Sequence, residues 1–306
     1  MTRIWPSDTA PSAGIFVANR FRGVPDVTVV VERPEGRPWP VHLARFVWRG
    51  LRAGRRARVE GVEAHVLYPA GFAGLVVARL LGVPLLAYAH GTDIRLYPQR
   101  GRVYRLFVRW VVRHANRVAT NSEEAATGIR LLGRSPLIIP PGYDQELFRP
   151  TPLPPGPPHR VLYLGGASPL KGYAVAHRLA ETRVGPGLRE LPPGEVARLM
   201  SEHHVVLVPS TAEAFGLVAA EAIGSGRWVV ARDVGGLREI VIDGTNGTLV
   251  SDDDFAGALA RVPDEWDPFE IARSVSRFSL SAWQAAMANA WDEILSRDGP
   301  RGHTSD

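Results

Sequence analysis

The chain has 306 residues, 45% hydrophobic and 22% charged, the composition of a folded globular protein rather than a disordered or fibrous one. It contains no cysteine, which excludes disulfide scaffolds, thiolate-bound zinc, iron–sulfur clusters and cysteine catalysis. A net charge of +5 hides an asymmetry: residues 1–150 hold 22 basic and 11 acidic side chains, the rest 14 and 20, so two domains with different partners are expected.

Residues 1–12 show no apolar run and no small-residue cleavage site, so no secretory signal is read there and the cytoplasm is the default location. In the first half, β-branched runs predict strands at 27–31, 64–68, 85–90, 117–120 and 137–140. Longer mixed runs predict helices at 44–60, 71–81, 103–114 and 123–132. Residues 72–89 approach the length of a membrane span, but Arg79 and the turn Gly82-Val83-Pro84 divide them into a buried helix and a buried strand. The run Pro-Thr-Pro-Leu-Pro-Pro-Gly-Pro-Pro at 150–158 suits neither helix nor central strand and reads as a linker.

After it the alternation restarts, with strands at 161–165, 182–188, 205–209, 227–231 and 248–250 and helices at 172–181, 194–202, 216–224 and 236–241. Alternation of this kind predicts α/β architecture with parallel sheets covered on both faces. The expected domains are 1–150 and 151–280. Trp283, Met287, Trp291 and Leu295, four apart, make 281–298 an amphipathic helix, expected to pack back on the first domain.

Open parallel sheets bind ligands beyond the carboxyl ends of their strands. His90-Gly91-Thr92-Asp93, Gly165-Gly166 with Lys171-Gly172, and Pro209-Ser210-Thr211-Ala212-Glu213 all fall there. Lys171 is the single lysine among 36 cationic residues, a compact ammonium where arginine serves elsewhere. Glu213 and Glu221 lie eight positions apart across a strand-to-helix boundary, where they could accept paired hydrogen bonds from sugar hydroxyls. Gly216 between them opens a helix whose amides suit a phosphate.

With these residues in view, the chain resembles the family-4 retaining glycosyltransferases of GT-B architecture, two Rossmann-like doubly wound domains facing a cleft, here in a short variant. The resemblance runs in order through Pro11-Ser12-Ala13-Gly14-Ile15-Phe16-Val17, His90-Gly91-Thr92-Asp93, Ile139-Pro140-Pro141-Gly142-Tyr143-Asp144, Lys171-Gly172, Pro209-Ser210, Glu213 to Glu221 and Gly235-Gly236-Leu237-Arg238-Glu239-Ile240. It implies transfer of a sugar, with retention, from a nucleoside-diphosphate sugar to an acceptor hydroxyl in cell-surface or polysaccharide glycan synthesis. The donor would be a co-substrate, with no resident cofactor; no Asp-x-Asp metal motif is recognised and no metal is expected.

By resemblance, Glu213 contacts donor-sugar hydroxyls, Glu221 the ribose diol, and the Phe215, Gly216 and Leu217 amides the sugar and phosphates. Lys171 neutralises the leaving diphosphate, with Gly165, Gly166 and Ser210 lining the donor site. His90 reaches the sugar from the opposite domain, and Gly14 lies near the β-phosphate. His90, Lys171 and Glu213 are the expected catalytic residues. Arg20, Asp93 and Arg95 are assigned to the acceptor side, with Asp93 alternatively orienting a loop.

The family usually has arginine where Gly166 stands. Lys171 and helix dipoles could suffice, Arg20, Arg22 or Arg95 could substitute, or donor affinity could be impaired. Alternatives to a transferase are a degenerate nucleotide-sugar-binding partner subunit or another GT-B enzyme, an epimerase or phosphorylase. Arg45, Arg49, Arg52, Arg55, Arg56 and Arg58 recur beside Phe46, Trp48 and Leu51, the pattern of a helix resting on anionic lipid at the inner membrane face. Nucleic acid is not expected, because no recognition motif accompanies the charge.

Overall fold

The computed structural model describes residues 1–2, 14–32, 38–156 and 159–297. Two compact units emerge, one comprising Met1–Pro140 and the chain from Gln284 onward, the other Pro141–Trp283.

The first unit is built on a parallel sheet in the order β1 (Val62–His65), β2 (Leu85–Ala89), β3 (Arg117–Thr120) and β4 (Leu137–Ile138). Beyond β1, the His65 amide donates to the Met1 carbonyl at 3.0 Å and Thr2 forms a parallel bridge with Val31. Chain order therefore reverses beside β1, as in a doubly wound sheet. Of the strand predicted at 27–31 only that bridge remains. Val27 and Val29 are 39% and 38% exposed, and β-branched residues form a strand only where a face can be buried.

Around this sheet lie α1 (Ile15–Arg20), α2 (Trp39–Ala57), α3 (Phe72–Leu81), α4 (Thr92–Arg95), α5 (Arg102–His114) and α6 (Glu123–Arg130). α2 begins five residues before its predicted start, with Pro40 in the first turn, where a missing N–H costs no helical bond. Its Gly50 and Gly54 face α3, and a Cβ at either would come within 2.9 Å of Val77 or 2.5 Å of Leu81. α3 stops at the left-handed Gly82, and α6 starts where the Ser122 side chain accepts from the Ala125 amide.

The second unit has a parallel sheet ordered β6 (Thr182–Arg183), β5 (Val161–Tyr163), β7 (Val205–Val208), β8 (Trp228–Arg232) and β9 (Gly247–Val250). Its helices are α7 (Tyr173–Leu179), α8 (Pro193–Ser201), α9 (Leu217–Gly224), α10 (Leu237–Ile240), α11 (Phe255–Ala260) and α12 (Pro268–Arg273), followed by α13 (Leu280–Arg297). β5, β7 and β8 are buried on both faces, which explains their continuous apolar runs. Order reverses at β5, so the crevice past the carboxyl ends of β5 and β7 is this unit's switch point.

The division falls at Pro140 rather than at residue 150, because 141–150 folds with the second unit. The Tyr143 amide donates to Phe278 O at 2.9 Å and its carbonyl accepts from Leu280 N at 2.7 Å, while Phe148 is buried in the core. Nor does the proline-rich run hang free. The buried Arg227 guanidinium donates to the carbonyls of Thr151 and Pro152, and the His204 ring lies 3.0 Å from Pro154 O. Pro157, Pro158 and residue 298 lie outside the described residues, as do Pro11, Ser12 and Ala13 of the first motif. Within the first unit, Trp291 of α13 covers Gly61, and its indole donates to Glu63 at 2.9 Å. Among the described residues no helix is long and apolar enough to cross a membrane.

Candidate functional site

In the second unit, the segments after β5 and β7 are fastened together at the switch point. The Thr211 amide donates to Leu170 O at 2.9 Å. Gly172 takes a positive φ of 73°, and a Cβ on it would lie 2.2 Å from Pro209 O, so glycine permits this close approach. The Tyr163 hydroxyl, which the sequence did not single out, lies 2.9 Å from Gly166 O and 3.2 Å from Lys171 O and ties the two halves of the β5 loop to one post.

This fastening brings the two charged candidates into contact, with Lys171 Nζ 2.5 Å from Glu213 Oε2. The ammonium keeps 38% side-chain exposure against 16% for the carboxylate, so it stays accessible to an anion while paired with Glu213. Ser210 is buried at the end of β7. Gly216, at φ 106°, starts α9 and accepts the Ala219 and Ala220 amides. The first-turn amides of a helix have no intrahelical acceptors and carry the positive end of its dipole. Phe215 is buried, its ring edge-on to Phe278 at 5.4 Å, so only its backbone can serve a ligand.

Glu221 sits on α9. Burial, reinforced by the Asp144 carboxylate, raises its pKa to about 8. Asp144 stood in the sequence motif without a role; it is buried and caps its own loop by accepting the Glu146 amide at 3.2 Å.

Gly166, at φ 68°, has a reason to be glycine. A Cβ would lie 2.3 Å from Pro186 O, and the neighbouring Ala167 amide donates to that same carbonyl at 2.8 Å. Gly165 is equally tight, its Cβ position 2.3 Å from the Tyr163 hydroxyl. The run Asp252-Asp253-Asp254 does carry Asp-x-Asp spacing, correcting the reading from sequence. Asp254 caps α11 through the Gly257 amide and Asp253 pairs with Arg232.

In the first unit, Gly14 is the buried, left-handed N-cap of α1. Two of the acceptor-side candidates are engaged within the fold. Arg20 is buried, 3.3 Å from Glu63, where it offsets a buried carboxylate and is committed away from solvent. Asp93 is buried and accepts the Leu67 amide at 2.8 Å, the loop-orienting alternative; burial raises its pKa to about 6. Arg95 ends α4, half-buried. His90 follows β2 with Phe16 edge-on at 5.1 Å and Tyr88 at 4.6 Å between ring centroids. Its Nε2 lies 3.0 Å from His65 Nδ1, and His65 Nε2 lies 2.9 Å from Glu63 Oε1. The sequence offered one signal for Glu63 and His65: two polar residues at i and i+2 in a buried strand share a face.

Two parallel-sheet α/β units of this kind are also found in solved structures of GT-B glycosyltransferases. Anabaena HepE, in complex with UDP and glucose, matches with a TM-score of 0.74 over 95% of this chain and 98% of its own, at 18% identity. Sucrose-phosphate synthase from Thermosynechococcus elongatus matches at 0.69 over 90% and 87%, at 20% identity. Residues 159–263 match the family described as glycosyl transferases group 1, and residues 7–142 the glycosyl transferase 4-like domain. A D-inositol 3-phosphate glycosyltransferase from Acidothermus cellulolyticus is 30% identical over 84% of this chain and 70% of that protein. Another, from Corynebacterium aurimucosum, is 37% identical over 47% of this chain and only 37% of its own length. The chain belongs to the group 1, family-4 type glycosyltransferases.

Proposed function

We propose that the protein transfers a sugar, with retention and without a metal ion, from a nucleoside-diphosphate sugar to an acceptor hydroxyl in polysaccharide or cell-surface glycan synthesis. The observation that carries this is the contact of Lys171 with Glu213 beside the Gly216 helix start, at the carboxyl ends of β5 and β7. A relative in fold is described in complex with UDP-glucose, which supports a donor of that class. Glu213 orients the sugar hydroxyls, Glu221 the ribose, and the amides at Gly216 the phosphates; His90 contacts the sugar. Inositol phosphate is the first acceptor to assay, because relatives carry that name.

In this reaction the bond between the anomeric carbon and the phosphate oxygen breaks as the acceptor oxygen bonds to the same face. The acceptor proton passes to the leaving phosphate. Negative charge grows on that phosphate, so Lys171 and the α9 dipole lower the barrier where charge develops. Lys171 exchanges its Glu213 partner for the diphosphate and frees the carboxylate to accept sugar hydroxyls. Lys171→Ala is expected to cut sugar release from the donor by about a hundredfold or more; an unchanged rate rejects the leaving-group role. Gly166 favours a second reading, a degenerate donor-binding subunit, which binds nucleotide-sugar without releasing sugar in the same assay. We further place the arginine-rich face of α2 against anionic lipid.

A further inference from the structure

We propose that Glu63 and His65 are positioning residues that fix His90 in one tautomer, Nε2 protonated and Nδ1 bare, so that His90 accepts a hydrogen bond from a sugar hydroxyl. This rests on the reading of His90 as a sugar contact and adds the direction of that contact.

The geometry starts from strand periodicity. Glu63 and His65 share one face of β1, and the register sets His65 beside Tyr88, two residues before His90. Glu63 Oε1 lies 2.9 Å from His65 Nε2, and His65 Nδ1 lies 3.0 Å from His90 Nε2. The imidazole centroids are 5.1 Å apart with planes 19° from parallel. At that N···N distance the rings meet edge to edge, nearly coplanar, and an N–H of one aims at the in-plane lone pair of the other. Phe16 and Tyr88 hold the His90 ring from its other sides.

Proton positions follow in order. Burial would raise the Glu63 carboxyl, but the His65 bond, the Arg20 guanidinium and the Trp291 indole overcome it and bring its pKa down to about 2. A carboxylate only accepts, so His65 Nε2 donates. Burial pushes the pKa of His65 down, against the pull of Glu63, and burial with the neighbouring His65 pushes His90 well below the ordinary value. At pH 7 and above both rings are therefore neutral and carry one proton each. His65 spends its proton on Glu63, its Nδ1 accepts from His90 Nε2–H, and the lone pair of His90 falls on Nδ1. The other charged or titratable groups around these rings are Arg20, the N-terminal amino group, Tyr88 and Asp93.

Imidazole nitrogen NMR of the full, ligand-free chain reads this directly. In the wild type, His90 is expected with Nε2 protonated and Nδ1 bare at pH 7 to 8, above the ordinary histidine range from which both rings are lowered. His65→Leu abolishes the single tautomer and lowers donor turnover about tenfold at unchanged donor KM, the scale of one lost oriented hydrogen bond. His65→Asn, whose side-chain oxygen can stand near the Nδ1 position, restores most of both. Thermal unfolding checks each variant, and Glu63→Gln, whose amide both donates and accepts, gives the same loss of tautomer preference should His65→Leu not fold. A wild-type His90 bearing its proton on Nδ1, or bearing two, overturns the proposal, as does a His90 spectrum indifferent to His65→Leu and Glu63→Gln. The described tautomer together with a His90→Ala variant that transfers sugar normally leaves the relay standing and removes the sugar contact. Donor analogues report the direction: with fluorine at the contacted carbon, turnover falls further in the wild type than in His90→Ala, because fluorine cannot donate and its electronic effect is common to both.

Discussion

Glu221, proposed above to meet the donor's ribose, holds a proton that such a contact would displace. Burial and the nearby Asp144 charge raise its pKa from 4.5 to about 8, so at neutral pH the folded chain mostly holds a proton there. Between pH 4.5 and 8 the native state binds that proton and the unfolded chain does not, so the group's contribution to stability is full below 4.5 and is lost as pH rises through 8. A ribose diol bound there would reverse the preference, because two donated hydrogen bonds favour the carboxylate. Nucleotide binding at pH 7 is therefore expected to release a proton from this site, and affinity to rise between pH 6 and 9. Calorimetry in buffers of different ionisation enthalpy measures the release, and Glu221→Gln should abolish it. Proton uptake at pH 7 in the wild type, or release unchanged in Glu221→Gln, rejects the ribose assignment. The sequence showed this glutamate and its helix, but not its charge state. That depends first on burial and then on Asp144, 77 positions earlier in the chain, and only the fold supplies either.

Among the elements, the loop between β5 and α7 shows what pattern reading can and cannot see. Lys171 and Gly172 were legible as polar punctuation after an apolar strand, and their closure onto β7 follows from the parallel β5–β7 pairing. Gly166 was legible only as a departure from the family. Its explanation lies in Pro186, beyond α7 and β6, whose carbonyl fills the space a Cβ would need. Gly166→Arg is thus expected to destabilise the chain rather than restore an arginine to the diphosphate, since it adds both a backbone clash and a strained positive φ. The cost should be about 2 kcal/mol or more, read as a lower midpoint in denaturant with no gain in nucleotide affinity. Tighter binding at unchanged stability would show that the loop yields easily. The 27–31 strand failed for a related reason, since alternating valines specify a strand only when a sheet face receives them, and local sequence carries no word of that. The start of α2 was missed because Pro38-Trp39-Pro40 reads as a breaker until the helix is seen to begin there.

Taken whole, the molecule keeps its charge apart. The sequence located the division near a conspicuous proline run, whereas the fold divides at Pro140, since Tyr143 and Phe148 carry their apolar surface into the second core and Arg227 pins the prolines to it. The excess of arginine belongs to the first unit, and there the structure sorts it. Arg45 and Arg49 answer the buried Glu32 at 3.5 and 2.8 Å and hold structure. Arg52, Arg55, Arg56 and Arg58 are exposed, with Trp48 beneath the Arg52 guanidinium. The ring of Trp39, at the start of α2, lies 5.9 Å from that of Phe107 on α5, and α5 adds exposed Arg102, Arg105 and Arg109 with Val103 and Leu106 between them. Neither helix contains an acidic residue. Cations flanking exposed indole and aliphatic groups match a surface of anionic headgroups over acyl chains. Each arginine near such a surface contributes about 1 kcal/mol, so Arg52, Arg55 and Arg56 changed together to glutamine should weaken association by roughly a hundredfold while leaving nucleotide affinity alone. Flotation with phosphatidylserine vesicles at low and high salt makes the measurement. Association indifferent to salt, lipid charge and the triple variant would assign this face to solvent and leave the first unit's charge without a membrane role.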